Sequence, residues 1–416
     1  MTAGALRRSG LRAYLDVLSV PGAAAFCATG ALARLPQGMI GLGSVLMVSG
    51  LGRSYALAGL VAGAVAMAQS LGGPQTGRLA DRFGQTRVLL PLLAVHVAAL
   101  ATLVVAAEAD RAAWLLVAVA VVAGASMPQI GAFARARWTA LLEEDEDGLR
   151  TALAVESLID EAAFIVGPVV VTLLATAVAP AAGLLVAIAV VVLGCLVFVA
   201  QRRTEPRPHA APRAVEGGAS VARTSAVRYG GLLVVIGVFL GIGAVFGLIE
   251  VSVVALARDH GDPGAAGPML GLWATGSLLA GIAYGAVGWT GPPRRRFVAT
   301  VAAFALGTVL IAAATHSLTV MTVALLVAGL ANAPTLITGN TLVPTVVPSG
   351  VVTEAYTWLS VTLFAGVAVG STLAGVLVDA SGPSAGLLAG TGAAAGAVLA
   401  TVLGYRRLAR PATVSV

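Results

Sequence analysis

Charge is scarce in this chain and lysine is missing from it: all 25 basic residues are arginine, and charged residues of both signs make up only 11% of the sequence. A soluble domain carries about 25% charged residues, so water is not the main solvent of these side chains. Cysteine is nearly absent as well. Cys27 and Cys195 both lie inside apolar runs, where a thiol is an ordinary packing residue, and no disulfide framework follows from them. The four histidines show no ligand spacing, so no metal site is expected. Nothing resembles a Walker sequence or a nucleophile motif, which argues against an ATP-driven pump and against an enzyme, and no cofactor is implied.

What fills the chain instead is apolar: 58% of residues are hydrophobic and the mean hydropathy is +0.95. Stretches of about 20 apolar residues, long enough at 1.5 Å per residue to cross a bilayer, follow one another with few interruptions. Runs such as residues 184–200 do not alternate apolar and polar positions, so they read as helices and not as strands of a barrel. Cutting at charges and at Pro/Gly clusters gives twelve spans, an all-α membrane protein in contact with the lipid bilayer. The first apolar region, residues 17–51, is too long for one straight span and too short for two, and reads as one span kinked at Pro36. The fifth span is placed at residues 154–178.

The organisation is six plus six. Residues 1–200 form one six-helix bundle, residues 229–416 another, and residues 201–228 join them. The joining segment holds Arg202, Arg203, Arg207, Arg213, Arg223 and Arg228 with Pro206, Pro208 and Pro212, a solvated linker. With both termini on the linker's side, only Arg53, Arg111 and Arg258 fall on the other, so the linker and both ends are expected in the cytoplasm. The net charge of +6 is therefore a topology signal, and no nucleic-acid partner is expected. The halves also repeat: Ala58-Gly59, Gly73 and Gly77 recur as Ala266-Gly267, Gly281 and Gly285, and Pro180-Ala-Ala-Gly-Leu-Leu recurs as Pro383-Ser-Ala-Gly-Leu-Leu.

The most specific segment lies between spans 2 and 3. It runs Gly77-Arg-Leu-Ala-Asp81-Arg82-Phe-Gly84-Gln85-Thr86-Arg87. Glycines here permit a tight turn and close helix approach, and Asp81 can sit at a helix N-terminus or pair with an arginine. This segment resembles motif A of the major facilitator superfamily, in the position where that family keeps it, with Gln85 and Thr86 where basic residues are common. The resemblance implies a fold of two pseudo-symmetric six-helix bundles and a function in transport. It further implies that Gly77, Asp81, Arg82, Gly84 and Arg87 form a cytoplasmic gate, with Asp81 facing residues 353–358 at the start of span 11. Gly167-Pro168 in span 5 is similar to the Gly-Pro of the antiporter motif C, although valines replace the glycines that follow it. Span 4 lacks the mid-helix arginine of antiporter motif B. The chain resembles bacterial proton-coupled drug and metabolite efflux members, which implies a cytoplasmic-membrane location and action as a monomer.

Charges inside apolar spans mark the candidate site, since each costs on the order of 3 kcal/mol at mid-membrane unless paired or hydrated. Arg34 and Gln37, one turn apart in span 1, can bind an anionic group of a substrate; equally, Arg34 can hold span 1 by an ion pair, with Glu250 of span 7 as one partner across the halves. Glu156, Asp160 and Glu161 open span 5 and Glu250 is isolated in span 7, and all four are proton-coupling candidates. A solvated, acid-capped helix start is the alternative for the first three. Gln129, Asn332 and Asn340 can line a cavity or bond helices together. The reading that follows is a proton-coupled exporter of small amphipathic molecules working by alternating access. An uptake symporter or facilitator for a small nutrient, and a membrane receptor or scaffold without transport, stay open beside it.

Overall fold

A computed structural model describes residues 11–206, 225–287, 289–348 and 351–409. Most of the linker, residues 207–224, and both chain ends lie outside the described residues. Twelve helices among those described are long and apolar enough to cross a membrane: Ala23–Gly50, Tyr55–Phe83, Gln85–Glu108, Ala113–Leu141, Glu146–Ala177 and Ala182–Ala200 in the first lobe, and Gly230–Asp259, Pro263–Ala286, Pro293–Ala313, Leu318–Val346, Glu354–Ser381 and Pro383–Leu403 in the second. They are numbered here as spans 1 to 12. Helices satisfy every backbone polar group within the segment, which hydrocarbon requires. The chain is an integral multi-pass membrane protein.

Three spans are interrupted. Span 1 breaks at Leu35 and Pro36 between helical segments Ala23–Arg34 and Gln37–Gly50, at the proline the sequence marks. Span 4 breaks between Ala125 and Ile130, around Pro128, and span 10 between Gly329 and Asn332. Discontinuous helices of this kind free backbone and side-chain groups at mid-depth, which is where carriers place their sites. Span 5 starts earlier than its hydropathy suggests. Asp145 caps it by accepting from Gly148 N at 2.9 Å, and Glu146 and Asp147 sit in its first turn, while Glu143 and Glu144 form the turn before it.

The turn between spans 2 and 3 is one residue long. Gly84 adopts φ +92°, a conformation a side chain would strain, and it lets Phe83 end one helix and Gln85 begin the next. Gln85 and Thr86, which replace basic residues of the family pattern, are both engaged. Buried Gln85 accepts from Arg137 Nε at 3.0 Å and donates to Phe133 O at 3.0 Å. Thr86 donates through its N–H and its hydroxyl to the Glu205 carboxylate, at 2.8 and 2.7 Å. A cation at position 85 would instead face Arg137.

The sequence repeat is realised as a set of contacts between the lobes. Gly59 and Gly63 of span 2 press on the carbonyls of Ser371 and Ala368 of span 11, while Gly267 and Gly271 of span 8 press on those of Pro168 and Ile165 of span 5. Each glycine in the second set is 208 residues after its counterpart, and each carbonyl pair is 203 apart, the offsets of the two repeated segments. These contacts, with Arg258 Nη1 donating to Ser49 O at 2.7 Å, all lie toward the side away from the linker. Nearer the linker the same helices part: Gln69 of span 2 and Phe364 of span 11 stand on the wall of a cavity.

Candidate functional site

That cavity occupies ≈ 370 Å³ between the lobes. Gln37, Gly38 and Gly41 come to it from the second segment of span 1, Gln69 from span 2, Glu161, Phe164 and Pro168 from span 5, Phe246 and Glu250 from span 7, Trp273 and Ser277 from span 8, Asn332 from span 10 and Phe364 from span 11. The broken and glycine-bearing spans thus supply its walls. Gly167 allows spans 1 and 5 to meet at Gly38, where any Cβ would overlap backbone, and Pro168 directly follows on the cavity surface.

The four acidic candidates divide into two pairs. Glu156 and Asp160 are neutralised within the first lobe. Fully buried Arg34 forms an ion pair with the Glu156 carboxylate and a second with Asp160 Oδ1 at 3.1 Å, and Arg135 reaches Asp160 Oδ2 at 2.5 Å. Trp138 Nε1 donates to Glu156 Oε1 at 2.8 Å, and Cys27 Sγ lies 3.4 Å from the same atom. The result is two cations and two anions in one cluster joining spans 1, 4 and 5. Asp160 sits fourteen residues into a helix that starts at Glu146, about 21 Å along its axis, so it belongs to the bundle interior and not to a solvated helix start.

Glu161 and Glu250, by contrast, face the cavity, and among the described residues neither makes a hydrogen bond or ion pair. The Glu250 carboxylate reaches across the lobe interface to span 1, its Oε1 standing 3.5 Å from where a Cβ on Gly41 would be. Asn332 is buried, and its Oδ1 accepts no hydrogen bond.

Three expectations need correction. Arg34 does not pair with Glu250; its partners are the acids of span 5 in its own lobe. Arg34 and Gln37 do not share a helix face, because the break at Pro36 lies between them: Arg34 ends one segment inside the lobe and Gln37 begins the next at the cavity. Gln129 and Asn340 are not among the residues lining the cavity. Gln129 donates to Met127 O at 3.1 Å and packs beside Gly73, and exposed Asn340 donates to Leu336 O at 2.9 Å. Gln69 and Trp273 were missed, the first a lone amide in an apolar span and the second a tryptophan away from the span ends.

On the linker side, Asp81 and Arg82 are exposed, and Asp81 makes no hydrogen bond or ion pair among the described residues. The start of span 11 is bonded elsewhere: Glu354 accepts from Ser225 Oγ at 2.7 Å and Tyr356 donates to Asn340 O at 3.3 Å. At the opposite end the same two helices are joined by Asp379 of span 11, whose carboxylate accepts from Tyr55 N at 2.9 Å and Ala56 N at 2.7 Å.

The buried charge cluster carries a stability prediction. Arg34→Met alone leaves Glu156 buried without its cation and should cost about 3–5 kcal/mol, seen as a large drop in thermal unfolding temperature in detergent. Arg34→Met with Glu156→Leu removes a balanced pair and should recover most of that loss. Equal destabilisation of both variants would show that the pair is not what holds spans 1 and 5.

Two lobes of six helices, broken spans around a cavity between them and a helix pair joined at one end are the architecture of a membrane carrier. The sequence matches the Major Facilitator Superfamily over residues 26–288. The chain belongs to that family and is a secondary transporter. Among solved structures it is similar to a mutant of the nucleoside transporter NupG (TM-score 0.70, 14% identity, covering 91% of this chain and 99% of that one). It is also similar to a peptide transporter POT mutant in complex with alafosfalin (0.72, 14%, 96% and 99%), and to a POT family transporter in complex with 5-aminolevulinic acid (0.71, 12%, 94% and 97%). At these identities the likeness is one of fold. No curated protein matches the sequence.

Proposed function

We propose that this transporter is a proton-coupled exporter of small amphipathic molecules, an antiporter acting as a monomer in the bacterial cytoplasmic membrane. The observation that carries this reading is the pair of partnerless carboxylates, Glu161 from one lobe and Glu250 from the other, facing one cavity. A carboxylate couples transport to protons only if it is free to lose its proton to a cargo and regain it from the far side; Glu156 and Asp160, held by arginines, serve to fix spans 1, 4 and 5. A gradient can drive the cycle, because each pH unit supplies about 1.4 kcal/mol and each charge moved through 100 mV about 2.3 kcal/mol.

The arginine asymmetry puts the linker and both ends in the cytoplasm, so the parted side is the cytoplasmic one and the conformation is that which loads cargo. Residues 1–200 and 229–416 are the lobes that rock, with 201–228 the tether. Gly77, Asp81, Arg82, Gly84 and Arg87 latch the cytoplasmic side in the opposite state, when Asp81 can reach the N-terminus of span 11. Gln37 and Asn332 orient cargo.

The alternative is proton-coupled or facilitated uptake of a small nutrient. Proton flux in proteoliposomes separates the two. An exporter moves protons against cargo and a symporter moves them with it. Glu250→Gln and Glu161→Gln should each remove coupled flux and leave the fold intact. Unchanged coupling in both variants would sink the proton role given to these residues.

A further inference from the structure

Deepening the reading above, we propose that the cavity takes organic cations with an aromatic or bulky apolar body, the positive charge held between Glu250 and Glu161 and near Asn332. Among the described residues, the charged groups on the cavity wall are these two carboxylates, and no arginine or histidine joins them there. Arg34 is wholly buried against Glu156 and Asp160, and Arg135 is paired with Asp160. An anion would therefore enter a site of like charge with no cation on its wall to balance it. A zwitterion would satisfy its ammonium group and leave its carboxylate unpaired at a cost of several kcal/mol.

A cation meets the opposite conditions. Each carboxylate on the wall offers a cation an acceptor of opposite charge in a largely apolar space. Asn332 belongs to the same wall, and its buried Oδ1 accepts no hydrogen bond among the described residues. Aromatic rings complete the site. Trp273 packs edge-to-face on Phe246, centroids 5.2 Å apart and planes at 88°, so two ring faces of different orientation are fixed in advance beside Glu250. Phe164 and Phe364 add further rings. Ring faces attract cations and offer apolar bodies a large contact area.

The test uses three probes of similar shape and different charge: tetraphenylphosphonium, triphenylphosphine oxide and tetraphenylborate. Their binding to the purified full chain is measured by equilibrium dialysis at fixed pH, with no membrane and no gradient. Tetraphenylphosphonium should bind at least about tenfold tighter than the neutral and anionic probes, a difference that Glu250→Gln should abolish and Glu161→Gln should reduce. Retained binding of the neutral probe by each variant, with an unchanged elution volume, shows that the cavity still forms. Equal or tighter binding of tetraphenylborate, parallel loss of all three probes in Glu250→Gln, or binding of none of them would overturn the proposal. Because no proton gradient is present, cation preference without coupled flux in proteoliposomes would defeat the antiport reading alone. Coupled flux with a charge-indifferent cavity would defeat this one alone.

Discussion

A Gly59→Val variant is expected to lose transport by about a hundredfold or more while still folding and inserting. Gly59 faces the Ser371 carbonyl so closely that even a Cβ would overlap it, and the obstructing atom is backbone, which cannot swing aside as a side chain would. Spans 2 and 11 would have to separate on the side away from the linker. The contact joins the two lobes, so the clash bears on the conformation in which that side is closed more than on the folding of either bundle. A penalty of about 3 kcal/mol lowers the population of the closed conformation by roughly a hundredfold, and a cycle that must pass through it slows in proportion. The repeat makes a second expectation from the same physics. Gly267→Val, which meets the Pro168 carbonyl at the symmetry-related contact, should have an effect of the same order. Gly396→Val in span 12, where nothing lies within 4 Å, should transport nearly normally. Substrate flux and the spacing of spin labels placed across spans 2 and 11 give the two readouts. Normal flux in Gly59→Val would mean that this close approach is not part of the cycle.

These glycines show how far the sequence could be read. Hydropathy, charge bias and the repeated segments were enough for twelve spans, two lobes and the kink at Pro36, because each depends on composition along one helix or on copies of one pattern. The repeat offsets even connect the right contacts: Gly59 and Gly267 were legible as equivalent before either had a partner. Which partner each one has was not legible, since that depends on how two lobes dock.

The candidate site divides in the same way. Isolated charges in apolar spans stood out at once, and Glu161, Glu250, Gln37 and Asn332 do reach the cavity. The periodicity of span 5 could place Glu156 and Asp160 on one face but could not say that Arg34 of span 1 and Arg135 of span 4 meet that face. Arg34 was drawn toward Glu250 by charge alone. The break at Pro36 turns its segment into its own lobe instead, and only a three-dimensional arrangement reveals that. Gln69 and Trp273 were hidden for a plainer reason: lone amides and tryptophans occur on lipid-facing and packing surfaces too, and periodicity in an apolar span has no polar face to orient by.

Asp379→Asn is expected to shift the balance between the two ends of the carrier by roughly 5- to 30-fold. Span 2 begins with three amides that need acceptors. Ser54 Oγ takes Leu57 N at 3.2 Å, while the amides of Tyr55 and Ala56 are taken by Asp379, which belongs to the other lobe. The cap of one lobe's helix is therefore completed by the other's carboxylate, and it can exist only while this side is closed. Two charge-assisted bonds at an exposed helix N-terminus contribute on the order of 1–2 kcal/mol. An amide in place of the carboxylate keeps the shape, gives up the charge, and offers one acceptor where there were two. Asp81 stands at the other end of span 2, exposed and without a hydrogen bond or ion pair among the described residues. If each aspartate stabilises one closed end, Asp379→Asn should favour opening away from the linker and Asp81→Asn should favour opening toward it. Thiol labelling of a cysteine introduced at Ser54 reads the first shift directly, and the two native cysteines, both buried, give little background. Opposite changes in labelling rate for the two variants are the expected result; changes of the same sign would mean that the aspartates stabilise the bundle as a whole and do not select between its ends.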